Sequence, residues 1–247
     1  YNFIEAVLSK DIIAEMQRVT DYKVDRYGVQ SLEYVFANYF IDRKITQTER
    51  TDLLCAVAER FPLKLFTLDK NAPVPKAANM GTADYYKEMP HIFRHSKINL
   101  NITLRSITNG IPLRCMDILS CGGFLLTNYQ NDLVMHFSPN EDFVYYEDKT
   151  DLLDKIEYYL SHEKERGEIA ENGFRKVSRQ FTYENCLREI LELVFPADKG
   201  IAAASDATNA ARGPLFPVFF PDSNIACRYN RRFSSRHSSF FGLCCRS

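Results

Sequence analysis

Charge of one sign is not in excess in this chain: 31 basic against 32 acidic side chains in 247 residues give a formal net charge of -1. Proteins that track a phosphate backbone usually carry a basic surplus, so nucleic acid is not an expected partner. Long apolar runs are missing too, the longest (122–127 and 215–220) falling far short of the roughly 20 residues of a membrane-spanning helix. No secretory pattern opens the sequence, and the expected location is the cytoplasm. The seven cysteines show no paired C-x-x-C spacing, which removes the usual zinc modules. Cys55, Cys115, Cys121 and Cys186 sit among apolar neighbours and read as small buried hydrophobes of a reducing compartment. The glycine fingerprint of dinucleotide binders and the phosphate loop ending in Gly-Lys-Ser/Thr are both absent, which argues against dehydrogenases and nucleoside triphosphatases. D-x-D and H-E-x-x-H are absent as well, so neither a metal nor a cofactor is expected.

What is present divides near residue 195. Residues 196–247 hold seven basic and three acidic side chains, a net +4 that leaves -5 for the body. This tail has no Glu, runs from Ala-rich to Phe/Pro to Arg/Ser, and shows neither helical nor strand period. It is expected to lie outside the fold, as a largely disordered extension or a foreign stretch such as a frameshifted end or fusion scar. The body shows helix and strand alternation. Ile4, Val7, Leu8, Ile12, Ile13 and Met16 form a helical apolar stripe over 3–19. A second helix is expected over 30–41, and Thr46 three residues before Glu49 has the spacing of a capping box opening a third. Strands are expected at 63–67, 98–102, 124–127 and 143–146, and a loop over 70–81. Helices are expected at 85–94 (interrupted by Pro90), 112–120, around 132–137, and over 149–160, 163–180 and 183–195. This order implies an α/β fold, a Rossmann-like parallel sheet flanked by helices, with ligands beyond the carboxyl ends of the strands.

The richest rim segment runs from Ser106 to Gly123. The helix after Pro112 offers an amino terminus to an anion. Arg114 and Asp117, three apart, share a face, so that Arg can hold a phosphate and Asp can accept from vicinal ribose hydroxyls. The same spacing also describes a plain surface ion pair. Gly122 and Gly123 stop the helix.

Several blocks in this order resemble group 1 glycosyltransferases, nearest the branch named for spore-maturation glycosyltransferase-like proteins. They are Ser96 to Asn101, Pro112-Leu113-Arg114 with Met116-Asp117-Ile118, Cys121 to Asn128, Tyr145 to Asp148, Ile156 to Leu160, Ile169 to Gly173 and Phe181-Thr182-Tyr183. The similarity spans Ile41 to Leu193 and implies the carboxyl-terminal, donor-binding half of a GT-B enzyme, with two Rossmann-like domains facing a cleft. The amino-terminal half would bind the acceptor, and residues 1–45 would be its linker or last helices. The partners so implied are a nucleoside diphosphate sugar and an acceptor not specified by the sequence. Asp117 falls where the family places an acid on the donor ribose, whereas the position eight residues earlier, often Glu in relatives, is Asn109 here. The resemblance thus implies donor binding by Asn109, Gly110, Arg114, Asp117, Gly122 and Gly123, with His91, Lys97, Asn99 and Asn101 as further candidates.

The reaction implied is metal-free glycosyl transfer, in which the helix amino terminus, the backbone near Asn109 and Gly110, and Arg114 stabilise the departing diphosphate. No general base stands out. His91 and His95 read equally as solvated histidines, and Lys97 as a diphosphate contact or a solubilising edge residue. Two alternatives belong to other classes: a non-catalytic Rossmann-like nucleotide-binding or assembly module, and a two-domain sugar-nucleotide epimerase. Alone, this chain is expected to bind a nucleotide weakly and turn over poorly.

Overall fold

A computed structural model of the protein describes residues 8–20, 22, 30–195 and 242–245. Helix α1 (Lys10–Thr20) carries the amphipathic stripe expected there, and the first residues of that expected helix, 3–7, lie outside the described residues. Ser31 caps α2 (Leu32–Val35) by accepting from Tyr34 N at 3.1 Å. A π-helical turn, Phe36–Ile41, then feeds directly into α3 (Asp42–Arg60). Thr46 and Glu49 therefore lie inside a helix and do not open one. Thr46 donates back to Asp42 O at 2.7 Å, a bond available only within a formed helix.

The strands follow the expected alternation and fall into two three-stranded sheets. Strands β1 (Leu63–Phe66) and β2 (Ala78–Gly81) pair in parallel, Lys64 opposite Ala78 and Leu65 opposite Asn79. The second of these falls where a loop was expected, because most of its residues are exposed and no apolar alternation marks it. Next come α4 (Met89–His95), β3 (Asn99–Asn101), α5 (Leu113–Ser120), β4 (Leu125–Asn128), α6 (Asn131–His136), β5 (Val144–Tyr146) and α7 (Lys149–Ser161). Pro90 sits in the first turn of α4, where its missing N–H has no intrahelical partner to lose, so it starts the helix instead of interrupting it. Strands β3, β4 and β5 are parallel and adjacent, with Leu100 opposite Leu126 and Leu126 opposite Val144.

Helices cover these sheets. Leu54 and Val57 of α3, Leu152 and Ile156 of α7, and Ile169 and Ala170 form one buried cluster with Leu63, Leu65, Ile98, Leu100, Leu126 and Val144. Helices bury the apolar positions of these strands, as parallel sheets require, while β3 alternates Leu100 with the buried Asn99 and Asn101. The fold is α/β with parallel strands flanked by helices, and the carboxyl ends of β3 and β4 point toward the start of α5.

The chain divides into two compact units, 1–174 with 240–247, and 175–239. Helix α8 (Glu163–Gln180) crosses that division. In the second unit Thr182 caps α9 (Tyr183–Val194), accepting from Asn185 N at 3.2 Å, and Leu187, Ile190 and Leu191 of α9 are exposed. Most of the basic tail lies outside the described residues. Four of its residues form β6 (Gly242–Cys245), antiparallel to β1 with Leu65 opposite Leu243.

Candidate functional site

Polar side chains replace the apolar core where β3 and β4 end. Asn101 is buried, and its Nδ2 lies 2.9 Å from Thr103 Oγ1, 3.0 Å from Thr127 Oγ1 and 3.4 Å from Cys115 Sγ. One amide thus ties the ends of two strands to the first turn of α5. Asn128 extends the network, accepting from Thr103 N at 2.8 Å. Burial pushes the Cys115 thiol up to about 12, only partly offset by a hydrogen bond with Thr127, so this sulfur is held as a neutral packing group and not as a nucleophile.

The loop after β3 is fastened by one face of α3. Arg50 donates through both Nε (2.9 Å) and Nη2 to Ile102 O, Thr46 Oγ1 accepts from Arg105 N at 3.2 Å, and Glu49 pairs with Arg105. Positions 46, 49 and 50 meet the loop together because residues three and four apart share a helix face. Desolvation lowers the Arg50 pKa from its ordinary value, with the nearby Tyr146 acting in the opposite sense. Further along, Asn109 and Gly110 are exposed, and Gly110 has φ 84°, a left-handed conformation suited to glycine. The Gly110 N–H donates to Asp132 Oδ2 on α6. The backbone donor expected to face an anion therefore already holds a carboxylate of the protein itself.

Arg114 and Asp117 occupy one face of α5, as their spacing implies. Their side chains are 19% and 25% exposed, and Arg114 Nη1 lies 3.9 Å from Asp117 Oδ2. That separation is an ion pair but too long for a hydrogen bond, and Arg114 Nη1 is buried without a hydrogen-bond partner. The guanidinium also lies 5.3 Å over the Phe93 ring. Tyr85 completes the group: its hydroxyl donates to Asp117 Oδ1 at 2.8 Å. Desolvation raises the Asp117 pKa, while the Tyr85 hydrogen bond and the Arg114 charge pull it back.

Other candidates fall elsewhere on the fold. Gly122 and Gly123 follow the carboxyl end of α5, about 12 Å along an eight-residue helix from Leu113. Gly122 has φ 70° and ends the helix; Gly123 is buried, and a Cβ there would lie 2.7 Å from both Asn99 Nδ2 and Phe93 O. Asn99 is fully buried beside it, bonding Phe93 O at 2.9 Å and Phe124 O at 3.2 Å. These three residues join α4, β3 and β4 at the amino-terminal edge of the sheet. His91 is exposed on α4 and stacks on His95 at 6.2 Å, while Lys97 lies partly exposed before β3. Among the cysteines, Cys186 is exposed and Cys55 and Cys121 are half-buried, so Cys115 alone of the four fits the expectation of burial. The others lie on partly solvated helix faces or at a helix end, where apolar neighbours in sequence do not become neighbours in space.

Thr46, Glu49, Arg50, Tyr85, Asn128 and Asp132 are the site-building residues that sequence reasoning did not pick out. For Thr46 and Glu49 the signal was present as a spacing but read as a cap. For Tyr85 and Asp132 no local signal exists, since their partners lie 32 and 22 residues away. Among the described residues no group of three or more His, Cys, Asp or Glu could hold a metal ion, and no helix is long and apolar enough to cross a membrane.

The glycosyl transferase-like family matches residues 50–192. No curated protein matches. Among solved structures the chain is similar to the crystal structure of a glycosyltransferase from Rickettsia africae ESF-5, at 13% identity and a TM-score of 0.45, over 78% of this chain and 53% of that one. It spans about half the length of that structure. The family match covers more than half of the 247 residues and contains β1 to β5 with the whole Arg114–Asp117 group: the chain belongs to the glycosyl transferase-like family.

Proposed function

We propose that this chain binds a nucleoside diphosphate sugar at the rim between the loop after β3 and the first half of α5, as the donor half of a GT-B glycosyltransferase of the spore-maturation-like branch. The observation that carries the reading is the Arg114–Asp117 pair. A buried guanidinium nitrogen without a hydrogen-bond partner stands beside a carboxylate oxygen at ion-pair distance, on a helix whose amino terminus opens at the carboxyl ends of the strands. Such a pairing suits a ligand with a phosphate and a vicinal diol.

In the complete enzyme the bond between the anomeric carbon and the diphosphate oxygen breaks, and an acceptor oxygen, having lost its proton, bonds to that carbon. Negative charge grows on the departing diphosphate. Arg114 and the dipole of α5 stabilise it electrostatically, without a metal. Asp117 accepts from the ribose, anchoring the nucleoside while the sugar moves. The proposal centres on Asn109, Gly110, Arg114 and Asp117, the expected residues nearest the start of α5; Gly122, Gly123 and Asn99 lie at its other end. Asn109 contributes an amide where relatives often carry an acid, so its role is to orient donor hydroxyls.

Calorimetry with UDP and GDP tests the reading on the chain as it stands. Binding of either is expected, and Arg114→Ala and Asp117→Ala should each weaken it by about 1–3 kcal/mol, the scale of hydrogen bonds to charged groups. A folded protein that binds neither, or variants with unchanged affinity, would remove the site.

A further inference from the structure

We infer that Tyr85 is a positioning residue of the donor site, its hydroxyl fixing Asp117 through Oδ1 so that Oδ2 is the oxygen presented to the ribose hydroxyls. The inference rests on the donor-site reading above and adds a residue from outside α5 to it.

Three observations support it. The first is the rigidity of the segment that delivers Tyr85. Asp84 Oδ1 accepts from Tyr86 N at 3.0 Å and from Lys87 N at 2.7 Å, Glu88 Oε2 accepts from Asp84 N at 2.6 Å, and Asp84 O accepts from Glu88 N and Met89 N at 3.0 Å each. A turn tied at so many points holds the phenol in place at little further entropic cost. Tyr86 supports the ring edge-on at 5.1 Å.

The second is the division of labour on the carboxylate. Oδ1 takes the Tyr85 hydroxyl at 2.8 Å, whereas Oδ2 stands 3.9 Å from Arg114 Nη1. Oδ2 and Nη1 are thus adjacent polar atoms of opposite sign that do not hydrogen-bond each other. A bidentate Arg–Asp pair would have consumed both; anchoring Oδ1 to a neutral donor from another element prevents that closure.

The third is the charge state. Desolvation favours the neutral acid at Asp117, and a neutral acid would offer its proton where the ribose diol needs an acceptor. A phenol donating to the carboxylate favours the ionised form without cancelling its charge. The other groups facing Asp117 are Arg114 on the same helix, which acts in the same direction, and the Cys115 and Cys121 thiols. Arg94 of α4 faces Cys121.

Tyr85→Phe keeps the ring and removes only the donor. The test titrates UDP and GDP by calorimetry from pH 5 to 8.5 into the full chain, comparing wild type, Tyr85→Phe and Asp117→Asn. The acid limb of binding should move to higher pH in Tyr85→Phe, with affinity near the acid end reduced about two- to tenfold, the worth of one ordinary hydrogen bond, and the loss shrinking as pH rises. Carbon-13 titration of the Asp117 carboxyl without ligand should likewise move to higher pH in the variant. Coincident profiles, or a loss of the same factor at every pH, would overturn the assignment by making the hydroxyl dispensable or merely structural. No binding of either nucleotide by the wild type, or full binding by Asp117→Asn, would refute the donor reading itself and the assignment with it.

Discussion

Replacing Gly123 by Ala separates packing from ligand contact at the end of α5. A Cβ at this position would stand 2.7 Å from Phe93 O, 2.7 Å from Asn99 Nδ2 and 3.2 Å from Ile118 Cγ2. Phe93 O is backbone near the end of α4, and Asn99 is fully buried with two hydrogen bonds from the same Nδ2, so neither can swing aside. Asn99 Oδ1 is already buried without a partner, which leaves that amide no alternative arrangement to fall back on. Overpacking of this kind costs about 1–3 kcal/mol. Disturbing the two amide bonds adds about 1 kcal/mol each. Against this, alanine restricts the unfolded chain and returns about 0.4–1 kcal/mol. The net loss is about 2–5 kcal/mol, or about 4–20 °C in Tm for a chain of this size. Thermal denaturation followed by circular dichroism measures it, and UDP affinity at 15 °C, below both transitions, should fall by less than about tenfold, because the clash falls on Phe93 O, Asn99 and Ile118 and reaches Arg114 through Phe93. An unchanged Tm together with lost nucleotide binding would refute the reasoning and return Gly123 to the ligand.

Asp117→Asn should stabilise the protein at neutral pH while weakening nucleotide binding. Burial raises this carboxyl in the folded state above its unfolded value, so the folded chain holds a proton the unfolded chain has lost, and stability falls as pH rises through that window. The asparagine variant should therefore melt higher than wild type at pH 7.5, and the difference should vanish near pH 3.5; an equal shift at both would contradict the burial argument. Asp132→Ala should strengthen UDP binding by about two- to tenfold, because it frees the Gly110 N–H and removes an α6 carboxylate from beside the loop that receives the diphosphate. Weaker binding in calorimetry would mean that Asp132 helps to hold the ligand.

Most of the body was legible because its elements obey simple periods. Phe124 to Thr127 is a buried run that opens with three apolar residues after Gly122-Gly123, and β4 begins within it at Leu125; the expected helix over 149–160 matches α7 (Lys149–Ser161) to within one residue. The elements that escaped did so for physical reasons. Exposure of Ala78–Gly81 erases the alternation that marks a strand. Thr46 and Glu49 imitate a cap because the same side chains, mid-helix, serve the loop after β3. At the site, Arg114 and Asp117 were readable since a helix converts a spacing of three into a shared face. Tyr85 on Asp117 and Asp132 on Gly110 were not, because tertiary folding creates those neighbours and no period encodes them. The glycines near α5 show the remaining ambiguity: Gly110 and Gly122 both adopt positive φ, one in a loop at the start of the helix and one as its stop, and the letter alone does not tell a ligand loop from a helix end.

The central claim is that a nucleoside diphosphate lies against α5 between Leu113 and Asp117. Amide chemical-shift mapping on the nitrogen-15-labelled chain during a UDP titration addresses it most directly. Perturbations concentrated at Thr103 to Asp117, with satellites at Tyr85 and at Asn128 to Asp132, are the predicted result. Saturable perturbations centred instead on Gly122, Gly123 and Asn99, or on the exposed face of α9, would contradict it.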